Sequence, residues 1–216
     1  LDHPAVDTVY FGGGTPSLLE PDEVAGLLVE AQAAFDLRPV EEITLEANPG
    51  TLAPGTLQRL RGLGIDRLSL GVQTLDDTLL QRLGRIHDGA TALDALGQAR
   101  AAGFQRLSAD LMVGIPGQTW ETLANDLWIF KDYDMDMIGI GPYLPSPGTP
   151  LDGPLGEMLM VEAGTDQVPN DTTTVLKALA LTRLLCPSTN IPSTTALATL
   201  DPASGRANGL LRGANV

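Results

Sequence analysis

The chain has 216 residues, of which 43% are hydrophobic and 19% charged, so it can bury a sizeable core and is not a disordered chain. Its 27 acidic and 13 basic residues give a formal net charge of −14, which argues against nucleic acid and anionic membranes as partners because like charges repel. The single cysteine, Cys186, excludes a disulfide framework within the chain and an all-cysteine metal site; since no apolar run approaches membrane-spanning length, we expect a cytoplasmic protein.

Short apolar runs alternate with longer segments of helical periodicity. This pattern predicts strands at 6–11, 42–47, 66–72, 106–113 and 135–140, and helices at 21–35, 54–63, 76–83, 90–102, 118–130 and 172–185. Asp171 is the expected N-cap of the last helix. Residues 144–170 are rich in Pro, Gly and acidic residues and are predicted to form a long loop. A sixth strand at 190–198, a short helix at 205–212 and the start of a seventh strand at 214–216 complete the prediction.

Repeated strand–helix alternation implies a parallel sheet whose strands are connected through helices. Both a doubly wound open sheet and a barrel fit this alternation, and the regularity of the units favours the barrel. A complete eightfold barrel needs about 250 residues. We therefore expect one α/β domain over residues 1–216, a partial TIM-like (β/α) barrel of parallel strands with its first strand missing.

Polar residues recur where the predicted strands end, and barrels of this kind place their active sites at that rim. The series is Gly12-Gly13-Gly14-Thr15, Glu46, Gln73 and Tyr143 at or just after strand ends, with Asp110 within the fourth predicted strand and the pair Thr194 and Thr195 within the sixth. Carboxylates buried in apolar strands indicate either a bound ligand or structural ion pairs with Arg67, Arg85 or Arg106, and the shared rim favours the ligand. Three consecutive glycines exceed what a tight turn requires, so we expect backbone groups there to face a ligand.

Five motifs carry a family resemblance. YFGGGTPSLL, ITLEANPGT, RLSLGVQTLDD, LGRIHD and DLMVGIPGQT, in this order, resemble the radical S-adenosylmethionine (SAM) superfamily, and most of all the oxygen-independent coproporphyrinogen oxidase group with its heme-chaperone branch. This resemblance covers residues 5–125. From about Met137, MIGIGPYLPSPGTPL, LKALALTRLL, NIPSTTALATLDP and GLLRGANV resemble instead the radical SAM maturase of FeFe-hydrogenase and its biotin-synthase-like relatives. A junction near 125–137 would make the chain a natural mosaic, an engineered chimera or a composite.

The resemblance implies a set of ligand contacts and no assigned catalytic residue. Gly13, Gly14 and Thr15 would bind the methionine amino group of SAM, and Glu46 would contact SAM from the end of its strand. Gln73, Arg85 and Asp110 would line the side of the cavity that holds SAM or a second ligand. Tyr143, Thr194 and Thr195 would face the substrate.

The sequence also departs from the family pattern. These families ligate a 4Fe–4S cluster through a Cys-x-x-x-Cys-x-x-Cys loop, which this sequence lacks, and Cys186 stands at no matching position. We therefore assign no metal ligand and expect the chain alone to hold no cluster and to be inactive in reductive SAM cleavage. Cys186 is expected to be a buried, inert thiol. No histidine follows His87, so the C-terminal histidine motif of heme chaperones is absent, and His87 is expected to be structural.

Two hypotheses follow for the function. The first is a radical SAM enzyme whose cluster loop precedes residue 1, acting on a tetrapyrrole by its coproporphyrinogen-like half or on a small sulfur-containing substrate by its maturase-like half. The second is a non-catalytic carrier of heme or a nucleoside, or a scaffold. The sequence leaves the oligomeric state open.

Overall fold

The computed structural model describes residues 3–216, apart from the side chain of Ala163. Five parallel strands form one sheet in the order β1-β2-β3-β4-β5, which confirms the predicted parallel α/β fold. The strands are β1 (Thr8–Phe11), β2 (Glu42–Ala47), β3 (Arg67–Gln73), β4 (Arg106–Val113) and β5 (Met137–Pro142). Each lies within two residues of its predicted bounds because its apolar run is short and bounded by turn-forming residues.

The helices connect these strands and extend beyond the sheet. They are α1 (Pro21–Ala34), α2 (Pro54–Gly62), α3 (Asp77–Arg82), α4 (Gly89–Ala101), α5 (Trp120–Asp132), α6 (Pro154–Ala163), α7 (Thr172–Leu185), α8 (Thr195–Leu200) and α9 (Gly205–Leu211). Short 3-10 turns lie at Pro16–Leu18, Pro49–Thr51 and Gly164–Asp166. None of the helices among residues 3–216 is both long and apolar enough to span a bilayer.

The chain divides into two compact units. Among the described residues, the first unit comprises 3–71 and 93–107. Its strands β1 and β2 pair from Thr8↔Glu42 to Phe11↔Leu45. Leucines on β2 and β3 are fully buried, together with apolar residues of α1, α2 and α4: Leu45, Leu68, Leu70, Val24, Leu57 and Leu96.

The second unit comprises residues 72–92 and 108–216. Its strands β4 and β5 pair from Ser108↔Met137 to Val113↔Pro142. Helix α7 begins where predicted, because the Asp171 side chain accepts a hydrogen bond from the Thr174 N–H at 2.8 Å.

The predicted sixth and seventh strands are wrong. Within the described part of the chain, Asn190 is the one residue of these two segments that forms a β-bridge, parallel to Met137. Helix α8 occupies the second half of the predicted sixth strand. The Ile191 N–H donates to the side-chain Oδ1 of Asn215 at 2.8 Å, while the Asn215 N–H donates to the Ile191 carbonyl at 2.9 Å. A side-chain amide thus replaces one bond of the expected ladder, and the segments stay irregular.

The predicted loop at 144–170 is also wrong, because it contains α6. Glycines with positive φ flank this helix, Gly153 at 107° and Gly164 at 56°, so its turn-rich boundaries conceal it in the sequence. Leu159 of α6 packs into a buried cluster with Leu79 and Ile115. Burial of this apolar side chain stabilises a segment whose composition is typical of a loop.

Candidate functional site

The glycine turn after β1 lies in the first unit. A Cβ at Gly12 would lie 2.7 Å from the Tyr10 ring, and Gly13 and Gly14 have φ values of 86° and 64°. The positive φ values account for Gly13 and Gly14, and a Cβ at Gly12 would require the Tyr10 ring to shift. Apart from each glycine and its two chain neighbours, no described heavy atom lies within 4 Å of the Cβ position at Gly13 or Gly14, which leaves space for a ligand beside this stretch of backbone.

Glu46, next to last in β2, faces this turn. Its Oε1 accepts a hydrogen bond from the Tyr10 hydroxyl at 2.7 Å, and its Oε2 accepts one from the Gly13 N–H at 3.2 Å. The side chain is half-buried, so the expectation of a buried carboxylate is wrong for Glu46. The two hydrogen bonds hold the Glu46 carboxylate beside a glycine turn with open space at two Cβ positions, an arrangement suited to a ligand ammonium group.

A second layer of hydrogen bonds ties this turn to the segment after β2. The Ser17 and Thr51 hydroxyl oxygens lie 2.5 Å apart, and the Asn48 N–H donates to Ser17 Oγ at 3.1 Å. The Thr51 hydroxyl in turn donates to the Asn48 carbonyl at 2.8 Å. Since Asn48 is two residues beyond Glu46, the carboxylate and the glycine turn are fixed relative to each other.

Glu42, at the opposite end of β2, carries the ion pairs of this strand. Its Oε2 lies 2.9 Å from an Arg67 nitrogen and 3.1 Å from an Arg106 nitrogen. Burial opposes ionisation of Glu42, but hydrogen bonds from Arg67 and Thr44 outweigh it and lower its pKa. Arg67 and Arg106, considered as structural ion-pair partners of Glu46 or Asp110, thus pair with Glu42.

The second unit contains a cavity of about 260 Å³ that brings together three of the predicted residues, Gln73, Arg85 and Tyr143. Its other lining residues are Leu83, Met112, Leu144, Ser146, Thr149, Pro150 and Leu151. Burial lowers the pKa of Arg85, and the Asp110 carboxylate opposes that shift. Burial likewise raises the pKa of Tyr143. The cavity therefore offers a cation and neutral hydrogen-bonding groups on an apolar wall.

Gln73 ends β3 with a φ of 71°, one of two positive φ values among the described non-glycine residues. The following Thr74 is fully buried, and its hydroxyl donates to Asp126 Oδ2 at 2.8 Å. Asp126 Oδ1 accepts from the Leu75 N–H at 2.8 Å. Burial raises the pKa of Asp126 to about 6. The sequence analysis missed Asp126, although its spacing from Leu123, Leu127 and Phe130 places it on the buried face of α5.

Asp110 and the threonine pair differ from expectation. Asp110 is exposed rather than buried, and its carboxylate occupies the space that a side chain at Gly139 would need. Thr194 does not lie in a strand but caps α8, accepting from the Leu197 N–H at 3.2 Å. Thr195 is exposed and accepts a hydrogen bond from Arg206 at 3.2 Å. The structure thus places Thr194 and Thr195 in different environments.

The loop after β4 is held by hydrogen bonds to the side chains of two glutamines, neither of which was predicted as a site residue. Gln118 is fully buried; its Oε1 accepts from the Gly114 N–H at 2.7 Å and its Nε2 donates to the Met112 carbonyl at 3.1 Å. Gln167 Oε1 accepts from the Gly117 N–H at 2.7 Å. Side-chain amides therefore accept hydrogen bonds from the Gly114 and Gly117 N–H groups of this loop.

His87 and Cys186 occupy structural positions. His87 is buried, its Nε2 lies 3.4 Å from the Val72 carbonyl, and burial lowers its pKa. Cys186 is buried at the end of α7, and burial raises the pKa of its thiol. A buried thiol with a raised pKa is poorly reactive, as expected for an inert cysteine.

Comparison with known proteins identifies the family. Residues 1–127 match the model of the radical SAM superfamily. The chain belongs to this superfamily. It is 43% identical over 120 residues to the heme chaperone HemW of Haemophilus influenzae, covering 56% of this chain and 31% of that protein. It is 37% identical over 159 residues to the [FeFe] hydrogenase maturase subunit HydE of Thermotoga maritima, covering 74% and 41%.

The fold agrees with this membership. The solved structure of coproporphyrinogen III oxidase (HemN) from Escherichia coli, a radical SAM enzyme, superposes with a TM-score of 0.65 at 25% identity over 83% of this chain and 40% of that chain. The chain thus spans less than half the length of these relatives. The resemblance to both the coproporphyrinogen oxidase group and the maturase group is confirmed. The match to HydE extends over 159 residues and so is not confined to residues 137–216; the junction near 125–137 stays a prediction.

Radical SAM proteins use SAM and a 4Fe–4S cluster, and the residues of this chain fit the two unequally. A cluster takes cysteine thiolates, and the 216 residues include one cysteine, so they do not fit a cluster. Across residues 3–216, no group of three or more His, Cys, Asp or Glu side chains could hold a metal ion. The open glycine turn beside Glu46 fits the amino-acid end of SAM.

Proposed function

We propose that this chain is the SAM-binding part of a radical SAM protein of the heme-chaperone and coproporphyrinogen oxidase type, located in the cytoplasm. The observation that carries the proposal is the pairing of Glu46 with the glycine turn: a carboxylate fixed by the Gly13 N–H and the Tyr10 hydroxyl, beside two glycines with open space around them.

The first unit would hold the methionine end of SAM. An ammonium group has three donors and no acceptor, and it would bind the Glu46 carboxylate and carbonyls of Gly13, Gly14 and Thr15. Charge-assisted hydrogen bonds of this kind are about twice as strong as neutral ones. SAM bound beside a reduced cluster supplies radical chemistry in this superfamily, and the residues of the glycine turn and β2 contribute binding and orientation.

The second unit would supply further ligand contacts. Gln73 and Arg85 are proposed to contact SAM or a second ligand, and Tyr143 to contact a substrate, because these three residues share one cavity. Asp110 is proposed to contact the same ligand, supported only by its electrostatic interaction with Arg85. A tetrapyrrole is the proposed substrate or cargo, supported by the similarity to the heme chaperone HemW. The placement of Thr194 as a helix cap and of exposed Thr195 gives less support to their substrate roles.

A maturase-like function, with a small sulfur-containing substrate, is the second candidate. The 37% identity to HydE over 74% of this chain favours it. Heme carriage without radical chemistry is compatible with the single cysteine. Binding of heme without binding of SAM would favour heme carriage, whereas binding of SAM would favour SAM chemistry.

Isothermal titration calorimetry of SAM against the Glu46→Gln variant tests the proposal. The substitution keeps the side-chain size but removes the charge, so SAM affinity should fall by about tenfold or more, the value of a charge-assisted hydrogen bond. Glu30→Gln, on an exposed face of α1, is the matched control and should bind SAM as the native chain does. Unchanged affinity in Glu46→Gln, or no SAM binding by the native chain, would overturn the proposal.

A further inference from the structure

A buried carboxylate on α5 accepts hydrogen bonds from the turn that follows β3. We infer that Asp126 of α5 is a positioning residue, which holds Gln73 in the conformation that presents it to the ligand cavity. This inference rests on the proposed function, because it gives a further residue to the site in which Gln73 is proposed to bind SAM or a second ligand.

Gln73 has a backbone conformation that its residue type disfavours. Its φ of 71° lies in the left-handed region, where the Cβ of a non-glycine residue crowds the backbone. Such a conformation persists only when the surrounding structure imposes it. Gln73 is 8% exposed and lines the cavity of about 260 Å³ together with Arg85. The unusual backbone therefore belongs to a residue that faces the cavity.

Asp126 imposes this conformation through the next two residues. Its two carboxylate oxygens accept separate hydrogen bonds, each 2.8 Å long, from the Thr74 hydroxyl and the Leu75 N–H. The same Thr74 oxygen accepts from the Asp76 N–H at 3.2 Å. Because Asp126 is 2% exposed and Thr74 fully buried, water does not compete for these bonds. The chain direction immediately after Gln73 is thereby fixed.

The far side of the turn is fixed as well. Asp76 caps α3 by accepting from the Leu79 N–H at 2.9 Å, and Asp77 Oδ1 accepts from the Gly89 N–H at 2.8 Å. A Cβ at Gly89 would collide with the Leu75 carbonyl, so the backbone packs closely there. With both sides held, Gln73 cannot relax to an extended conformation without breaking the bonds to Asp126.

A purely structural turn would not require this combination. Glycine adopts a positive φ without cost, and a buried carboxylate carries a desolvation penalty, which is visible in the raised pKa of Asp126. The positive φ and the buried carboxylate both determine the position of Gln73, whose side chain lines the cavity. Strained backbone and costly buried polar groups concentrate at ligand sites, and this turn has both.

Nuclear magnetic resonance of the full 216-residue chain tests the inference without any ligand. The Cα and Cβ chemical shifts of Gln73 distinguish left-handed from extended backbone. Asp126→Asn and Thr74→Val each remove part of the anchor and should move these shifts toward extended values. Thr74→Ser keeps the hydroxyl, so the Gln73 shifts should stay at their native, left-handed values. Asp132→Asn, an exposed position on the same helix, is the matched control.

Gln73 shifts that stay left-handed in both Asp126→Asn and Thr74→Val would overturn the inference. If Asp126→Asn does not fold, the Thr74 pair decides, because valine has nearly the shape of threonine and lacks only the hydroxyl. A structural defect would also spread shift changes through the chain, whereas loss of positioning confines them to residues near 73–77 and to the surroundings of the substituted residue.

SAM titration then connects the turn to binding. If the ligand that Gln73 contacts is SAM, Asp126→Asn and Gln73→Ala should each weaken SAM binding about three- to tenfold, the value of one hydrogen bond, and the double variant should weaken it less than the product of the two effects. If the native chain binds no SAM, the proposed function fails while the chemical shifts still test the positioning. If SAM binds and depends on Glu46, but the two effects multiply fully, the positioning role fails alone.

Discussion

Replacing Asp126 by asparagine should change how the stability of the chain depends on pH. Burial, reinforced by the charge of Asp76 and opposed by the bonds from Leu75 and Thr74, raises the pKa of Asp126 from 3.8 to about 6. An acid whose folded pKa is raised binds its proton more tightly when folded. Its contribution to the free energy of unfolding is therefore greatest at low pH, and it is lost as the pH rises from the pKa of the unfolded state to the pKa of the folded state.

The size of the effect follows from the shift. One pKa unit corresponds to about 1.4 kcal/mol, so ionisation of Asp126 lowers the free energy of unfolding by about 3 kcal/mol across the whole window. About 1.4 kcal/mol of this falls between about pH 5 and pH 7.5. That interval avoids the isoelectric point of about 4.3, where low net charge promotes association.

Urea unfolding of the native chain and of Asp126→Asn at about pH 5, 6 and 7.5 measures this contribution. Groups common to both proteins cancel in the difference between their unfolding free energies. The native chain should lose about 1.4 kcal/mol relative to the asparagine variant between the two extremes. Asp132→Asn should track the native chain at every pH. A difference that stays constant with pH, or that favours the native chain as pH rises, would refute the reasoning.

Two further predictions concern backbone packing and the C-terminal segment. Gly114 has a φ of 80°, and a Cβ there would lie 2.6 Å from Asn170 Cα. Gly114→Ala should therefore lower the free energy of unfolding by more than about 2 kcal/mol. Gly26 on α1 has open space around its Cβ position, so Gly26→Ala should raise the free energy of unfolding by about 0.5–1 kcal/mol. Arg183 donates to the carbonyls of residues 187, 189 and 213 and to the side chain of residue 215, so Arg183→Gln should cost about 2–3 kcal/mol, and exposed Arg212→Gln less than about 0.5 kcal/mol. Urea unfolding at about pH 7.5 checks both predictions. Equal effects of the two glycine variants would contradict the packing argument, and equal effects of the two arginine variants would contradict the hydrogen-bond argument.

The strands and most helices could be predicted because each carries its own signal. Apolar runs bounded by turn residues mark β2 and β4, whose bounds match the prediction. Asp171 marks the start of α7 by a local side-chain bond to its own helix. Such signals act over three or four residues, so they can be read without the tertiary structure.

The errors arise where distant residues decide. The predicted strands at 190–198 and 214–216 fail because the Asn215 side chain takes a bond that a neighbouring strand would have taken. Helix α6 depends on burial of Leu159 among residues from other segments. Neither effect has a local signature, and the flanking glycines of α6 point toward a loop.

The candidate site was predictable only in part, for a similar reason. The glycine turn and Glu46 were found by their positions at strand ends, and the structure brings them together. Tyr10 was missed because its contact with Glu46 depends on the strand register, which pairs Tyr10 with Thr44 and so sets Glu46 diagonally across. Asp126 left a usable signal, an acidic residue at a helical position surrounded by apolar ones.

The loop closed by Gln118 and Gln167 has a consequence for hydrogen exchange. Its anchors are neutral amides that do not titrate, whereas the turn after Gln73 is anchored by a carboxylate with a pKa of about 6. For exchange through local opening, the amide protons of Gly114 and Gly117 should therefore keep the same protection factors as acidity increases, once the intrinsic rate is corrected. The Leu75 amide should gain protection over the same range, because protonation of Asp126 removes the cost of a buried charge from the closed turn. One loop of this fold is thus insensitive to proton concentration, and a second one in the same unit responds to it.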